Sequence, residues 1–181
     1  SGADMWMRQV AAEPFNMTVF ERITARNQKA TVYLEGDGLA WISRRTPSLD
    51  PTPKRPTTLT LAARDPATNV VYMARPCQYS KNAVYSYKAC QVKYWTGARF
   101  APEMVMAMNR TLDEIKARYN IPAFDLVGYS GGGAMAVLIA ARRNDIASIR
   151  TVAGNLDHVV HSKMHKVAYL SESLNPRDYV A

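Results

Sequence analysis

The stretch Gly128-Tyr129-Ser130-Gly131-Gly132 sets the tightest limit on how this chain folds. Pro122 and the apolar segment Ala123-Phe124-Asp125-Leu126-Val127 precede it, with the length and composition of a short buried strand. Behind it come Gly133 and then Ala134-Met135-Ala136-Val137-Leu138-Ile139-Ala140-Ala141, which reads as a helix. A strand, a glycine-rich turn and a helix in direct succession leave no residues for a gradual reversal, so the turn must be sharp. Gly128 and Gly132 stand two positions either side of Ser130, where a Cβ would meet neighbouring backbone, and Ser130 takes the strained apex. Such a turn lifts the hydroxyl above the sheet and aims the Gly131 N–H at the charge that develops on an attacked carbonyl. The helix N-terminus behind Ser130 adds its dipole. Ser130 is the candidate nucleophile. A glycine-rich turn can instead bind phosphate, but the Lys-Ser/Thr ending of a nucleotide-binding loop is missing.

The rest of the chain supplies strands and helices in alternation. Residues 17–25 and 29–34 alternate β-branched and aromatic residues with others and read as strands, with a turn at 26–28. Glu35-Gly36-Asp37-Gly38 then breaks the second strand, and residues 47–56, holding four prolines, form a loop. A short helix over 58–64 precedes a strand over 69–75 that is apolar enough to be buried on both faces. Pro102 opens a helix in which Met104, Val105, Met108, Leu112, Ile115 and Tyr119 recur at helical spacing, so these methionines fill core. Residues 146–153 give one further strand. Strands alternating with helices predict an α/β fold: a mainly parallel sheet, antiparallel at its N-terminal edge, with helices on both faces. Residues 1–16 read as an N-terminal extension and 17–181 as a single domain.

Composition narrows the function classes. With 48% apolar and 21% charged residues in 181, the chain is neither disordered nor fibrous and is long enough to bury a core. No run of about 18 apolar residues exists, so no membrane span is expected. The Ser-Gly-Ala-Asp start lacks the charged and apolar regions of a signal peptide. Twenty-three Lys and Arg against 15 Asp and Glu give +8, scattered in pairs such as Arg44-Arg45, Lys54-Arg55 and Arg142-Arg143. Between Tyr79 and Trp95 lysines interleave with tyrosines, a pattern that can stack bases but is read here as a solvated loop. No nucleic-acid partner is expected. Cys77 and Cys90 flank a polar stretch and are expected to bridge, two buried thiols being the alternative. A bridge places the protein in an oxidising compartment.

The order of elements around Ser130 resembles the α/β-hydrolase superfamily over roughly residues 17–176. Ala74-Arg75-Pro76-Cys77-Gln78-Tyr79, Tyr94-Trp95-Thr96 and Ser173-Leu174-Asn175-Pro176 resemble a subgroup of exported bacterial members. The resemblance implies a serine hydrolase of esterase or lipase type, periplasmic or extracellular, needing no cofactor or metal and acting on a small-molecule or lipid-like acyl substrate. It implies a second oxyanion donor in Tyr33-Leu34-Glu35-Gly36-Asp37-Gly38, the backbone N–H of Asp37 or Gly38 beside that of Gly131. Relatives often carry His-Gly in that loop, and here Glu35 takes the His position.

A hydrolase of this kind needs an acid and a His after the serine, in that order. The family places them after its seventh and eighth strands, and only one strand is clear beyond Ser130, with the apolar stretch 167–170 too short to count. The chain thus reads as the front two-thirds of a hydrolase, incomplete after the sixth strand. Self-association or a complementing C-terminal fragment would then be a partner at the open sheet edge. The internal alternative uses Asp157 as acid and His165 as base. His158, His161 and His165 share one face if helical, but span about 10 Å by the helical rise, too far for one tetrahedral ion. A non-catalytic binding module that keeps the fold is the rival reading.

Overall fold

Side chains alternating between two faces organise the first half of the chain. The computed structural model describes residues 4–80, 88–152 and 172–179. Its elements are β1 (Trp6–Ala12), β2 (Phe15–Ile23), β3 (Ala30–Leu34), α1 (Thr57–Arg64), β4 (Asn69–Met73), α2 (Pro102–Tyr119), β5 (Phe124–Tyr129), α3 (Gly131–Ala140) and β6 (Ile146–Val152). Single 3-10 turns at Val92–Trp95 and Pro176–Tyr179 complete them. The six strands form one sheet in the order β1-β2-β4-β3-β5-β6. β1 and β2, and β2 and β4, run antiparallel, while β3 pairs in parallel with both β4 and β5, and β5 with β6. The expected α/β architecture, mainly parallel with an antiparallel N-terminal edge, is what forms.

Residues 6–12 form the edge strand β1, which the sequence pattern did not single out; it pairs with β2 from Trp6 opposite Glu21 to Ala12 opposite Phe15 and buries Val10 and Ala12. Its polar outer positions mask a strand that needs only one buried face. Arg8 ties that edge to its neighbours. Its guanidinium donates to both Glu21 oxygens at 2.9 and 2.8 Å and to both Glu114 oxygens at 2.9 and 2.8 Å, joining β1 to β2 and α2.

Period two decides which layer each strand residue enters. On β4, Val71 and Met73 join the main core with Val32 and Leu34 of β3, while Val70 and Tyr72 face the other way, toward Ala62 of α1. The main core is closed by α2, through Met104, Val105, Met108, Leu112 and Ile115, and by α3, through Ala134, Met135, Leu138 and Ile139. Helices therefore cover both faces. On the α1 side, Phe20, Tyr72 and Tyr79 pack edge to face with ring centres 5.5 to 6.1 Å apart. Pro102 opens α2 and Asn120, at φ 56°, ends it in the left-handed region.

Cys77 and Cys90 form a disulfide across 13 positions. Closing a loop of that size contributes about 3 kcal/mol through the unfolded chain. Cys77→Ala/Cys90→Ala is expected to lose about that much in urea unfolding; a loss near zero would show that other contacts already restrain the unfolded loop.

At the start of β6, Asp145 is gripped by Arg143 through two hydrogen bonds of 2.8 Å and by Lys116 at 3.0 Å. The Arg143 bonds, opposed by partial burial and aided by Lys116, hold its carboxyl down to about 2. An unfolded chain protonates this group near 3.8, so the folded carboxylate's advantage is complete above about pH 4 and drains away between about pH 4 and 2. Asp145→Asn is expected to flatten the stability curve across that window. Urea midpoints measured from pH 2 to 5 check it, and an acid limb as steep as the parent's would refute the assignment.

Candidate functional site

Ser130 sits at the end of β5, immediately before α3, with φ 50° and ψ −119°. A non-glycine residue in that region costs of order 1 to 3 kcal/mol and persists only where its surroundings enforce it. They do so here. The Ser130 N–H donates to the Val152 carbonyl at 2.8 Å, locking the turn to the end of β6, and the Ser130 carbonyl accepts from Gly133 N–H at 3.0 Å. A Cβ on Gly128 would fall 2.3 Å from the Gly132 carbonyl oxygen, and one on Gly132 would fall 2.2 Å from that of Leu34. The turn is thus wedged between itself and the end of β3, and only glycine leaves room for the backbone to pass.

The same end of β3 delivers the loop Glu35-Gly36-Asp37-Gly38 to Ser130. A Cβ on Gly36 would lie 3.5 Å from Ser130 Cβ, and one on Gly131 would lie 2.4 Å from Asp37 Oδ1. Ser130, Gly131, Asp37 and Gly38, widely separated in the chain, are therefore neighbours. The Gly36 N–H is occupied, donating to Glu35 Oε1 at 2.8 Å. Among the described residues the N–H groups of Gly131, Asp37 and Gly38 and the Ser130 hydroxyl have no hydrogen-bond partner. Gly38 holds φ 66°, and a Cβ there would fall 2.0 Å from the Pro51 carbonyl oxygen.

Glu35 is 4% exposed. Its carboxylate accepts from Gly36 N–H, from Thr58 Oγ1 at 2.8 Å and from Tyr72 OH at 2.7 Å. Burial, and then the Glu35 charge, push the Tyr72 phenol well above its ordinary range, so it stays a donor. Glu35 thereby ties the loop to α1 and β4 and is not presented to the cleft as a free carboxylate.

Asp37 is held between two arginines. Arg99 Nε lies 3.1 Å from Oδ2 and Arg75 Nη1 lies 3.5 Å from Oδ1. Arg75 is itself buried, stacks 4.7 Å over the Phe100 ring and donates to the Arg99 carbonyl. Burial lowers the Arg75 guanidinium to about 10 against the opposing pull of Asp37, so it remains a cation at neutral pH. Gln78 braces the loop from below: its amide donates to the Gly36 carbonyl at 3.1 Å and accepts the Arg75 N–H at 3.0 Å. Cys77 and Tyr79, on either side of it, have φ 74° and 58°.

None of Thr58, Tyr72, Arg75, Gln78 and Arg99 stands out in the sequence as part of this arrangement. A signal for one of them is present, since Arg75, like Glu35, stands just past the end of a buried strand and charges at such places require partners. Asp157 and His165, the internal acid and base candidates, lie outside the described residues, as do His158 and His161. The Tyr79 to Trp95 stretch is described only in part; its end packs inward, with Trp95 3% exposed and its indole N–H donating to the Ser48 carbonyl at 2.8 Å.

Ser130 opens into a cleft of about 290 Å³ lined by Glu35, Gly36, Asp37, Gly38, Lys54, Arg55, Thr57 and Tyr129 among others. A roomier hollow of about 640 Å³ beside α1, lined by Met5, Phe20, Leu59 and Ala63, offers no nucleophile beyond the Thr60 hydroxyl and lies away from the turn. Among the described residues no group of histidines, cysteines and carboxylates is arranged to hold a metal ion, and no helix is long and apolar enough to cross a membrane.

Neither a protein-family model nor a curated protein matches the sequence. Solved structures do match the fold. An esterase from Pyrococcus furiosus superimposes with a TM-score of 0.61 at 10% identity, over 97% of this chain and 66% of the esterase. A proline iminopeptidase from Mycobacterium smegmatis gives 0.54 at 16% identity, over 87% of this chain and 47% of the peptidase. A lidless α/β serine hydrolase from Xanthomonas campestris gives 0.53 at 13% identity, over 84% and 62%. The chain thus spans 47 to 66% of the length of these proteins. Six strands in this order, with helices on both faces and matched over most of the chain by an esterase, a peptidase and a serine hydrolase, make this an α/β-hydrolase fold.

Proposed function

We propose that the chain carries the nucleophile and oxyanion donors of a serine hydrolase that cleaves an ester or related acyl bond. The observation that carries this reading is Ser130 itself, enforced at φ 50° on the strand–helix turn with its hydroxyl unengaged among the described residues. Strain of that kind clusters where chemistry uses it. Ser130 Oγ attacks the acyl carbon, and the N–H of Gly131 with that of Asp37 or Gly38 stabilises the oxyanion. A histidine takes the serine proton and returns it to the leaving group. All three histidines of the chain lie outside the described residues. His165 oriented by Asp157 is the internal pair; a histidine and carboxylate from a complementing segment or a second copy are the external one. The reaction calls for no cofactor, the substrate is a small-molecule or lipid-like acyl compound, and the disulfide suits a periplasmic or extracellular setting.

An intact-mass measurement after treatment with a fluorophosphonate probe tests the reading. One adduct on the parent chain, absent from Ser130→Ala, is the expected result. No adduct on a chain shown to be folded by circular dichroism would replace it with the non-catalytic binding module.

A further inference from the structure

Two cations at the rim of the cleft are not explained by the fold. Lys54 and Arg55 are exposed, line the cleft beside Ser130, and their side chains have no partner among the described residues. The loop that carries them is nonetheless fixed. Pro51, Pro53 and Pro56 restrict its φ angles. The Pro51 carbonyl accepts the Leu39 N–H at 3.0 Å, and Thr52 Oγ1 accepts the Tyr79 N–H at 2.7 Å. The Thr57 N–H donates back to the Arg55 carbonyl at 2.8 Å. The positive charges are therefore carried on an anchored backbone.

The acidic groups of the cleft do not cancel them. Glu35 is satisfied by three donors, and Asp37 is shared between Arg75 and Arg99. Four cations thus accompany two carboxylates, and the two unshared ones, Lys54 and Arg55, stand where the remainder of a bound substrate would lie. A group in that position gains most if it is an anionic oxygen acid, which an ammonium and a guanidinium recognise by charge and hydrogen bonding together.

We infer that the substrate carries an anionic oxygen group in addition to its scissile acyl bond, and that Lys54 and Arg55 select it. This inference rests on the acyl-cleaving reading of Ser130. Two matched pairs of esters test it: p-nitrophenyl hemisuccinate against p-nitrophenyl butyrate, with the charge on the acyl side, and 4-acetoxybenzoate against its methyl ester, with the charge on the alcohol side. In at least one pair the anionic member is expected to have the higher kcat/KM. Exposed ion pairs are individually weak, so the ratio should fall by about 5- to 10-fold in Lys54→Gln/Arg55→Gln. Arg26→Gln/Arg44→Gln, which removes two charges outside the cleft, is expected to keep the ratio. A preference absent from both pairs, or lost equally in the two double variants, overturns the inference.

A second readout separates it from the hydrolase reading. In Ser130→Ala, monomethyl succinate is expected to bind more tightly than methyl butyrate by chemical-shift titration, and the difference should vanish on adding the Lys54 and Arg55 substitutions. That binding preference in a chain that hydrolyses no ester would leave the anion site standing and remove the catalysis. Hydrolysis with neither a rate nor a binding preference would do the reverse.

Discussion

Ser130→Ala is expected to lower kcat for ester hydrolysis by at least about a thousandfold, the scale seen when a nucleophile is deleted from a serine hydrolase. The loss should come without loss of fold. The hydroxyl has no hydrogen-bond partner among the described residues, so removing it orphans no buried group. The backbone at φ 50° is as costly for alanine as for serine, and the melting temperature should stay within about 2 °C. Ser130→Gly sharpens the test. Glycine occupies that region freely, so this variant should be equally inactive yet more stable by about 1 kcal/mol. Inactive and stabilised together is the signature of strain held for function. Activity within tenfold of the parent in either variant would remove Ser130 as the nucleophile, and destabilisation by the glycine would show that the turn is not strained.

Gly132→Ala is expected to act through the fold instead. The added carbon would fall 2.2 Å from the Leu34 carbonyl oxygen and 2.9 Å from that of Glu35. Both are backbone atoms, and the strand that carries them pairs with β4 on one side and β5 on the other. No side chain can rotate away, so relief requires α3 to lift from the sheet or β3 to shift. Overpacking against movable side chains costs about 1 to 3 kcal/mol, and an immovable backbone should place this substitution at about 3 kcal/mol or more. For a chain of this length that is a fall of about 6 to 12 °C in melting temperature. Because the Leu34 and Glu35 carbonyls lead directly into Asp37 and Gly38, residual activity should drop as well, even where the protein remains folded. Thermal scans in parallel with ester assays read both. A melting temperature unchanged within about 2 °C would mean that the turn is looser than its contacts imply.

The two outcomes separate what local sequence carries from what assembly adds. Strand, glycine-rich turn and helix around Ser130 were legible because each is dictated by residues close in the chain: apolar run, small residues, apolar run. The glycines could be read as points of close approach, but not what they approach. Leu34 lies almost a hundred positions away, and only the pairing of β3 with β5 in parallel register brings its carbonyl to Gly132. β1 was hidden for a related reason. An edge strand with one wet face keeps few apolar residues, and its identity rests on Val10 and Ala12 finding the core and Arg8 finding Glu21 and Glu114.

By itself the sequence determined the α/β class, the serine at a sharp turn and the methionine-lined helix, because periodicity, glycine spacing and composition act over a few neighbouring residues. The tertiary structure decided the rest. It placed the Asp37 loop against Gly131, turned Glu35 into a buried anchor held by Thr58 and Tyr72, set Asp37 between Arg75 and Arg99, and left Lys54 and Arg55 at the cleft without a partner among the described residues. Charges and hydrogen bonds choose partners by distance in space, and burial makes the choice binding: a carboxylate or guanidinium taken out of water must be paired, and which group pairs it is known only once the strands have been laid side by side.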